Sequence, residues 1–278
     1  MKRCRCSFHS SVLPSVMALV AVLFWAAAAA AIPVTVSIEN LSPTNGAHLT
    51  PLWVGFHDGS FDLYNINQPA SPALERLAED GNAEPLSNAF QMGGAGTTQG
   101  VLSGSAGPIA PGEMASMTFD LDGTLDANRY FSYAAMVIPS NDAFIANGNP
   151  RQHTIFNPNG MLLGADFIVR GVMVLDAGTE VNTEIPEQTA FFGQTVADTG
   201  VDENGLVRFH EGFQDPAAGG ILSDLLFAGA DFRGPGYELA HITVSNGGDM
   251  APVPEPATIL LLGSGLLGLI GIGRKRQD

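Results

Sequence analysis

Short segments in which apolar and polar residues alternate recur along the middle of the chain, and this pattern restricts the fold more than any other feature. In Ile32–Leu41 the apolar residues occupy every second position, and Met114–Leu121 alternates in the same way. A period of two predicts a strand with one buried face. Glycine, proline and asparagine between such segments predict turns. The sequence therefore predicts an all-β fold, an antiparallel β-sandwich, rather than a parallel α/β sheet.

Other segments complete this outline of one β-rich domain over residues 32–249. Further strands are predicted at Leu52–His57, Tyr130–Ile138, Ala165–Leu175, Leu206–His210 and Tyr237–Ser245. A helix is predicted at Ser71–Asp80, where Ser71 can cap the first turn and Gly81 follows the last. Met92–Pro111 is rich in small residues and is interpreted as a loop or a weakly ordered edge.

The N-terminus has the layout of a secretory signal peptide, assigned to residues 1–31. Lys2, Arg3 and Arg5 precede an apolar stretch, and a run of alanines follows it. This order of positive, apolar and small residues is typical of a cleaved signal. An uncleaved anchor helix is the alternative. Both cysteines of the chain lie in this segment, so the exported domain is expected to contain no disulfide.

The C-terminus, residues 250–278, has three parts in a fixed order. Val253–Pro256 precedes the uncharged stretch Ala257–Gly273, and Arg274–Arg276 follow it. The apolar stretch is at the short end of the ~20 residues that a transmembrane helix needs, and the basic cluster would remain cytoplasmic. The three parts together resemble a PEP-CTERM sorting tail. That resemblance implies cleavage near Pro-Glu-Pro by an exosortase, with only transient membrane attachment.

The region between the two signals is strongly acidic. The chain contains 28 acidic and 12 basic residues, and six of the basic residues lie in the terminal segments. The middle retains six arginines and has no lysine. Such a surface repels phosphate backbones, so nucleic-acid binding is not expected. The same charge attracts cations, although solubility alone is a sufficient reason for it.

Three carboxylates follow predicted core strands. Asp142 comes after Tyr130–Ile138, and Asp176 and Glu180 come at and after the end of Ala165–Leu175. If the two strands run in the same direction, these acids meet at one end of the sandwich. Clustered carboxylates and loop carbonyls are the ligands that Ca²⁺ accepts. The alternative is that each acid caps its own turn.

Several motifs in the middle of the chain resemble the spondin N-terminal domain family in its bacterial form. They are Ile38–Pro43, His57–Tyr64, Gln68–Ser71, Leu77–Asn82, Pro139–Phe144 and Asp176–Glu180. The resemblance implies a C2-like antiparallel β-sandwich with one or two short helices. It also implies a Ca²⁺ site formed by Asp142, Asp176 and Glu180. Glu180 stands where the family has an aspartate, and Ala143 where it has a tryptophan.

These observations lead to the hypothesis of an exported, non-enzymatic binding or adhesion module of the cell surface or extracellular matrix. No Gly-x-Ser-x-Gly elbow lies between a strand and a helix, and no histidines have zinc-ligand spacing. The expected partner is a glycan such as exopolysaccharide, or another surface protein. The alternative is a secreted polysaccharide hydrolase that uses a pair of carboxylates. Exposed aromatic side chains lining a cleft beside the acids would favour the hydrolase.

Overall fold

The computed structural model describes residues 31–247, so the predicted signal peptide and sorting tail lie outside the described residues. Within this range no helix is both long and apolar enough to cross a membrane. The two α-helices are α1 (Pro72–Asp80) and α2 (Glu84–Gly93). The strands are β1 (Ile32–Asn40), β2 (His48–Leu49), β3 (Leu52–His57), β4 (Thr98–Leu102), β5 (Met114–Leu121), β6 (Tyr130–Ile138), β7 (Ala143–Ala146), β8 (His153–Thr154), β9 (Ala165–Arg170), β10 (Leu175–Asp176), β11 (Arg208–Phe209) and β12 (Glu238–Asn246).

The strands form two sheets in which every strand pair is antiparallel. The four-stranded sheet has the order β5-β1-β12-β9. The larger sheet has the order β11-β10-β7-β6-β3-β4, and β2 and β8 also pair with β6. The predicted all-β sandwich with short helices is therefore confirmed.

The larger sheet is buried on both faces. One face contributes residues such as Phe56 and Phe131 to the core between the sheets, where they pack with residues of the smaller sheet such as Ile242. The other face is covered by the helices, with Leu77 of α1 and Phe90 of α2 in one apolar cluster. Burial on both sides explains why β6 is an almost continuous apolar run instead of an alternating one.

Helix α1 forms where the sequence predicts it. The side chain of Ser71 accepts a hydrogen bond from the backbone N–H of Leu74, which satisfies a free donor of the first turn. Gly81 ends the helix with φ of 67°, a left-handed conformation that favours glycine. The buried residues of the helix face the larger sheet, so α1 covers the strands that lead to the acidic loops.

The predicted single strand Ala165–Leu175 is wrong. The chain leaves the smaller sheet at the end of β9, makes a short 3₁₀ turn over Gly171–Met173, and enters the larger sheet as β10. A Cβ atom at Gly171 would lie 1.9 Å from the carbonyl oxygen of Phe232, so only glycine allows this close passage. A continuous apolar run carries no signal for a change of sheet.

The interpretation of Met92–Pro111 as a loop is also partly wrong. Helix α2 includes its first two residues, and β4 lies inside it as an edge strand. Only Leu102 of β4 is buried, so the strand lacks the alternation that would have predicted it. In α2 only Leu86 and Phe90 are buried, which leaves a weak helical pattern.

Asn40 connects three backbone segments at the end of β1. Its side-chain amide donates to the carbonyl oxygens of Ala47 at 3.0 Å and Ile109 at 2.9 Å. Its carbonyl oxygen accepts from the backbone N–H of Ser42 at 2.9 Å. The side chain is fully buried, so it holds the turn after β1 against the loop before β5 without competition from water.

We expect Asn40→Asp to destabilise the domain, because a carboxylate cannot donate to the two buried carbonyl groups. The expected loss in the free energy of unfolding is about 3 kcal/mol, since each buried polar group left unpaired costs ~1–3 kcal/mol. Asn67→Asp at an exposed turn is the matched control, with an expected change within ~0.5 kcal/mol. Denaturant unfolding followed by circular dichroism measures both. Equal unfolding midpoints for the two variants would contradict this role of Asn40.

Candidate functional site

Two of the predicted ligands meet because β7 pairs with β10. Asp176, the last residue of β10, lies opposite Ala143, the first residue of β7, and Asp142 directly precedes Ala143. The strands that precede these acids run in the same direction, as the sequence analysis supposed, because β6 and β10 are each antiparallel to β7, which lies between them. β7 begins where β10 ends, so both acids lie at the same end of the larger sheet.

Asp142 fastens the loop after β10 through one oxygen of its carboxylate. Its Oδ2 accepts the backbone N–H of Thr179 at 2.8 Å and that of Glu180 at 3.2 Å. Its Oδ1 is buried and has no hydrogen-bond partner within the described part of the chain. The side chain is 0% exposed, so water cannot solvate the free oxygen from the surface.

Asp176 has partners on both carboxylate oxygens. Its Oδ1 accepts the backbone N–H of Gly178 at 2.7 Å, which closes a tight turn. Its Oδ2 accepts from the side-chain amide of Asn182 at 2.7 Å and from the guanidinium of Arg208 at 3.0 Å. The turn-capping role that the sequence left open is thus present at Asp176.

Glu180 is buried in the same loop but extends its carboxylate towards another segment. Its Oε1 accepts the backbone N–H of Gly200 at 3.0 Å, and its backbone pairs with that of Asp202. A Cβ atom at Gly200 would lie 2.2 Å from this carboxylate, so the close approach favours glycine there. The backbone N–H of Glu180 donates to the carboxylate of Asp142, whereas the side chain of Glu180 connects the loop to residues 200–202.

The structure brings the three predicted acids into one region without preforming a complete ligand set. Within residues 31–247, no group of three or more His, Cys, Asp or Glu side chains is arranged to hold a metal ion. The calcium site at Asp142, Asp176 and Glu180 therefore stays a prediction. Its chemistry fits the unpartnered Oδ1 of Asp142, because a buried carboxylate oxygen with no donor is a ligand for a hard cation.

Two arginines and a helix acid that sequence reasoning missed complete the cluster. Arg208 bridges Asp176 and Glu203, with 2.7 Å to Oε1 of Glu203. Arg76 of α1 pairs with Glu79 and also reaches Asp198 at 3.2 Å. The pairs Arg76–Glu79 and Arg208–Glu203 are close in sequence, and the first has a spacing that is typical of helix ion pairs. The contacts Arg208–Asp176 and Arg76–Asp198 join residues 32 and 122 positions apart, so the sequence carries no local signal for them.

Burial controls the protonation of these acids. Desolvation raises the pKa of Asp142 to about 7, and the neighbouring charge of Asp176 adds to the shift. Desolvation likewise raises the pKa of Glu180 and of Glu79 to about 7. It also raises the pKa of Asp176, although the nearby Arg208 opposes that shift. At neutral pH the cluster is therefore partly protonated unless a cation balances its charge.

An acidic cleft opens between α1 and the loops that carry Gly178 and Asp198. Its volume is about 530 Å³, and four of the residues that line it are acids: Glu75, Glu79, Asp198 and Asp202. None of the described residues lining it is aromatic. Thr179, whose backbone N–H donates to Asp142, also lines the cleft, so the cleft lies beside the acid cluster.

Glu79→Gln is expected to stabilise the protein at pH 8 and to have little effect near pH 5. The folded-state pKa of Glu79 is about 7, above the unfolded value of roughly 4.3. Between these values the folded protein binds more protons at this site, so its stability falls as the pH rises through that window. The glutamine variant has no carboxyl group to ionise at this position, so it does not lose this stability as the pH rises. Denaturant unfolding in the presence of chelator, from about pH 4.5 to pH 8, measures the difference.

The comparison between variant and wild type also removes the effect of the buried histidines. Burial lowers the pKa of His57, His153 and His210 to about 4, which changes stability in the opposite direction but equally in both proteins. Glu75→Gln, on the partly exposed side of the same helix, is the matched control. If the Glu79 variant differs from wild type by the same amount at all pH values, the raised pKa is disproved.

Comparison with known families identifies two segments of the chain. Residues 40–148 match the Spondin_N family, and residues 252–277 match the PEP-CTERM protein-sorting motif. A search of curated proteins gave no match. The Spondin_N match ends before Asp176 and Glu180, so it does not cover the last of the resembling motifs. Both resemblances are nevertheless confirmed: the chain carries a Spondin_N region that includes Asp142, followed by a PEP-CTERM protein-sorting motif.

Proposed function

We propose that this protein is a calcium-binding, non-enzymatic binding and adhesion module of the cell surface or extracellular matrix. The two family matches support an exported, surface-associated protein. The observation that carries the calcium proposal is the unpartnered Oδ1 of Asp142, which is buried at the centre of several carboxylates. A buried carboxylate oxygen without a donor is costly, and a bound cation would remove that cost.

Asp142, Asp176 and Glu180 would supply carboxylate oxygens to the ion. Ca²⁺ accepts six to eight oxygen ligands in a flexible arrangement, including backbone carbonyls and water. When bound, its positive charge would stabilise the ionised acids and so oppose the desolvation that raises their pKa values. The loop that carries Asp142 and the loop over residues 176–180 would then be held by one ion in addition to their hydrogen bonds.

Binding rather than hydrolysis is favoured by the burial of the acids. Asp142 and Asp176 are 0% and 1% exposed, so neither carboxylate faces a cleft where a glycosidic bond could lie. The neighbouring acidic cleft also has no aromatic lining among the described residues. Both observations argue against the alternative of a polysaccharide hydrolase, whose acid and base must reach the scissile bond.

The sorting motif supports a route to the surface. A PEP-CTERM motif implies processing by an exosortase. We propose that the tail attaches the protein to the membrane only until it is cleaved. The released domain would then act in the envelope or exopolysaccharide matrix, with a glycan or another surface protein as its partner.

Calcium is expected to raise the stability of the wild-type protein and to have no effect on the stability of the Asp142→Asn variant. The expected gain is about 2.7 kcal/mol when calcium is at a hundred times its dissociation constant. In chelator at pH 7.5, the asparagine variant should be at least as stable as wild type, because a neutral amide replaces a buried charge. Its carbonyl oxygen can still accept from the loop N–H groups. Thermal unfolding of the purified full chain with calcium or chelator tests both statements.

Asp120→Asn is the matched control, since Asp120 is exposed on β5 and far from the cluster in the fold. It should keep the full calcium response. Asp176→Ala should lose the response, whereas Glu180→Asp should keep it, because aspartate is the family's residue at that position. A wild-type protein whose unfolding and calorimetric titration show no effect of calcium would rule out the site.

Processing is expected to remove both ends of the chain. The mature protein should begin near Ile32 and should lack the residues beyond about Pro254, because the sorting motif and the basic end are cleavage signals. Intact-mass measurement of the protein from an exosortase-containing host determines both ends. A mature pool that retains Arg274–Asp278 would contradict processing at the motif, and deletion of the exosortase should produce that species.

A further inference from the structure

A second cleft, larger than the acidic cleft, shares none of its lining residues. Its volume is about 650 Å³, within the usual range for ligand sites. One wall is the turn after β1 together with β2, and a second is the end of β6 at Ile138 and Pro139. The loops that contribute Phe191, Leu226 and Phe227 form its rim.

The lining of this cleft is uncharged although the chain has a net charge of −16. None of the twelve residues that line it is Asp, Glu, Lys or Arg. A charged ligand placed there would lose hydration without gaining an opposite charge. The cleft therefore suits a neutral ligand, in contrast to the acidic cleft beside Glu79.

The apolar part of the cleft is built from rings and branched side chains that remain exposed. Phe191 is 50% exposed and Leu226 is 67% exposed. Phe227 is held edge-on by Phe192, with ring centroids 6.1 Å apart. An exposed aromatic face at the edge of a concave site provides a flat surface on which an apolar ligand face can stack.

The polar part consists of side chains that can both donate and accept hydrogen bonds. The exposed residues Thr44 and Asn45 line it with a hydroxyl and an amide group, whereas the Oγ of Ser42 is buried. The ring of His48 packs edge-on against that of Phe227, at a centroid distance of 6.2 Å. Its Nδ1 is buried and has no hydrogen-bond partner within the described residues. A ligand hydroxyl is the simplest partner for such a set, because it donates and accepts in turn.

We propose that this cleft binds a neutral carbohydrate. A sugar ring combines an apolar C–H face, which Phe191 and Leu226 can cover, with hydroxyl groups at its edge for Thr44 and Asn45. An acyl chain would leave the polar wall unpaired. This inference rests on the proposed function, in which the protein acts among extracellular glycans, and it adds the ligand class and a site separate from the calcium ligands.

Calorimetric titration of the purified full chain with neutral tetrasaccharides of glucose, mannose, galactose and N-acetylglucosamine tests the proposal. At least one should bind, whereas a uronate tetrasaccharide should not. Phe191→Ala should weaken binding about tenfold, equivalent to ~1.4 kcal/mol. Phe209→Ala is the matched control, because Phe209 is similarly exposed at 56% but lies on β11 outside the cleft.

Two further changes separate ligand contact from general surface effects. Leu226→Ala should weaken binding, whereas Leu225→Ala should not, since the neighbouring Leu225 is exposed without lining the cleft. Thr44→Val keeps the shape of an exposed side chain of the cleft but removes its hydroxyl, and it should also weaken binding. Each variant must keep the wild-type unfolding temperature for its result to count.

Other outcomes overturn the proposal. They are the absence of binding by every neutral sugar at millimolar concentration, equal binding by Phe191→Ala and Phe209→Ala, and preferential binding of phosphatidylcholine vesicles or of a proline-rich peptide. The calcium titration of the same variants is independent. If the wild-type protein binds a neutral sugar but does not respond to calcium, the calcium proposal is wrong and this site stands. If it responds to calcium but binds no neutral sugar, this site is wrong and the calcium proposal stands.

Discussion

The pairing of β10 with β7 is the contact on which the acidic end of the sandwich depends. It fixes Asp176 beside Asp142 before any loop geometry is considered. The carboxylate of Asp142 then accepts two backbone N–H groups from the loop that follows β10, so a two-residue strand is sufficient to hold that loop. Loss of this strand pairing would separate the two acids and would also release the loop that follows β10.

The cluster shows how a very acidic domain can bury carboxylates. Arg208 pairs with both Asp176 and Glu203. Arg76 pairs with acids of its own helix, α1, and with Asp198. Two of the six arginines in the middle of the chain are thus committed to one region. Their charge offsets that of the acids at the edge, while Asp142 at the centre has no basic partner among its described hydrogen bonds and ion pairs.

The sequence predicted the elements whose burial is simple and missed those whose burial depends on tertiary structure. β3, β5 and β6 have the predicted bounds because their burial follows from local patterns of apolar residues. The 165–175 segment changes sheets at Gly171, and only the packing of Phe232 against that glycine reveals the reason. The acids of the site were predicted from their positions after strands and from family motifs. The contact between Arg208 and Asp176 could not be predicted, because the two residues are 32 positions apart.

The central pair of the smaller sheet joins the first and last strands of the domain. β1 pairs with β12 over seven residue pairs, from Val34 with Asn246 to Asn40 with Ala240. The intervening chain must be present before this pair can close, and long-range closure of this kind slows folding. A chain that leaves a membrane pore N-terminus first would therefore keep β1 without its central partner until β12 emerges. The topology therefore delays completion of the sandwich until export of the domain is nearly finished.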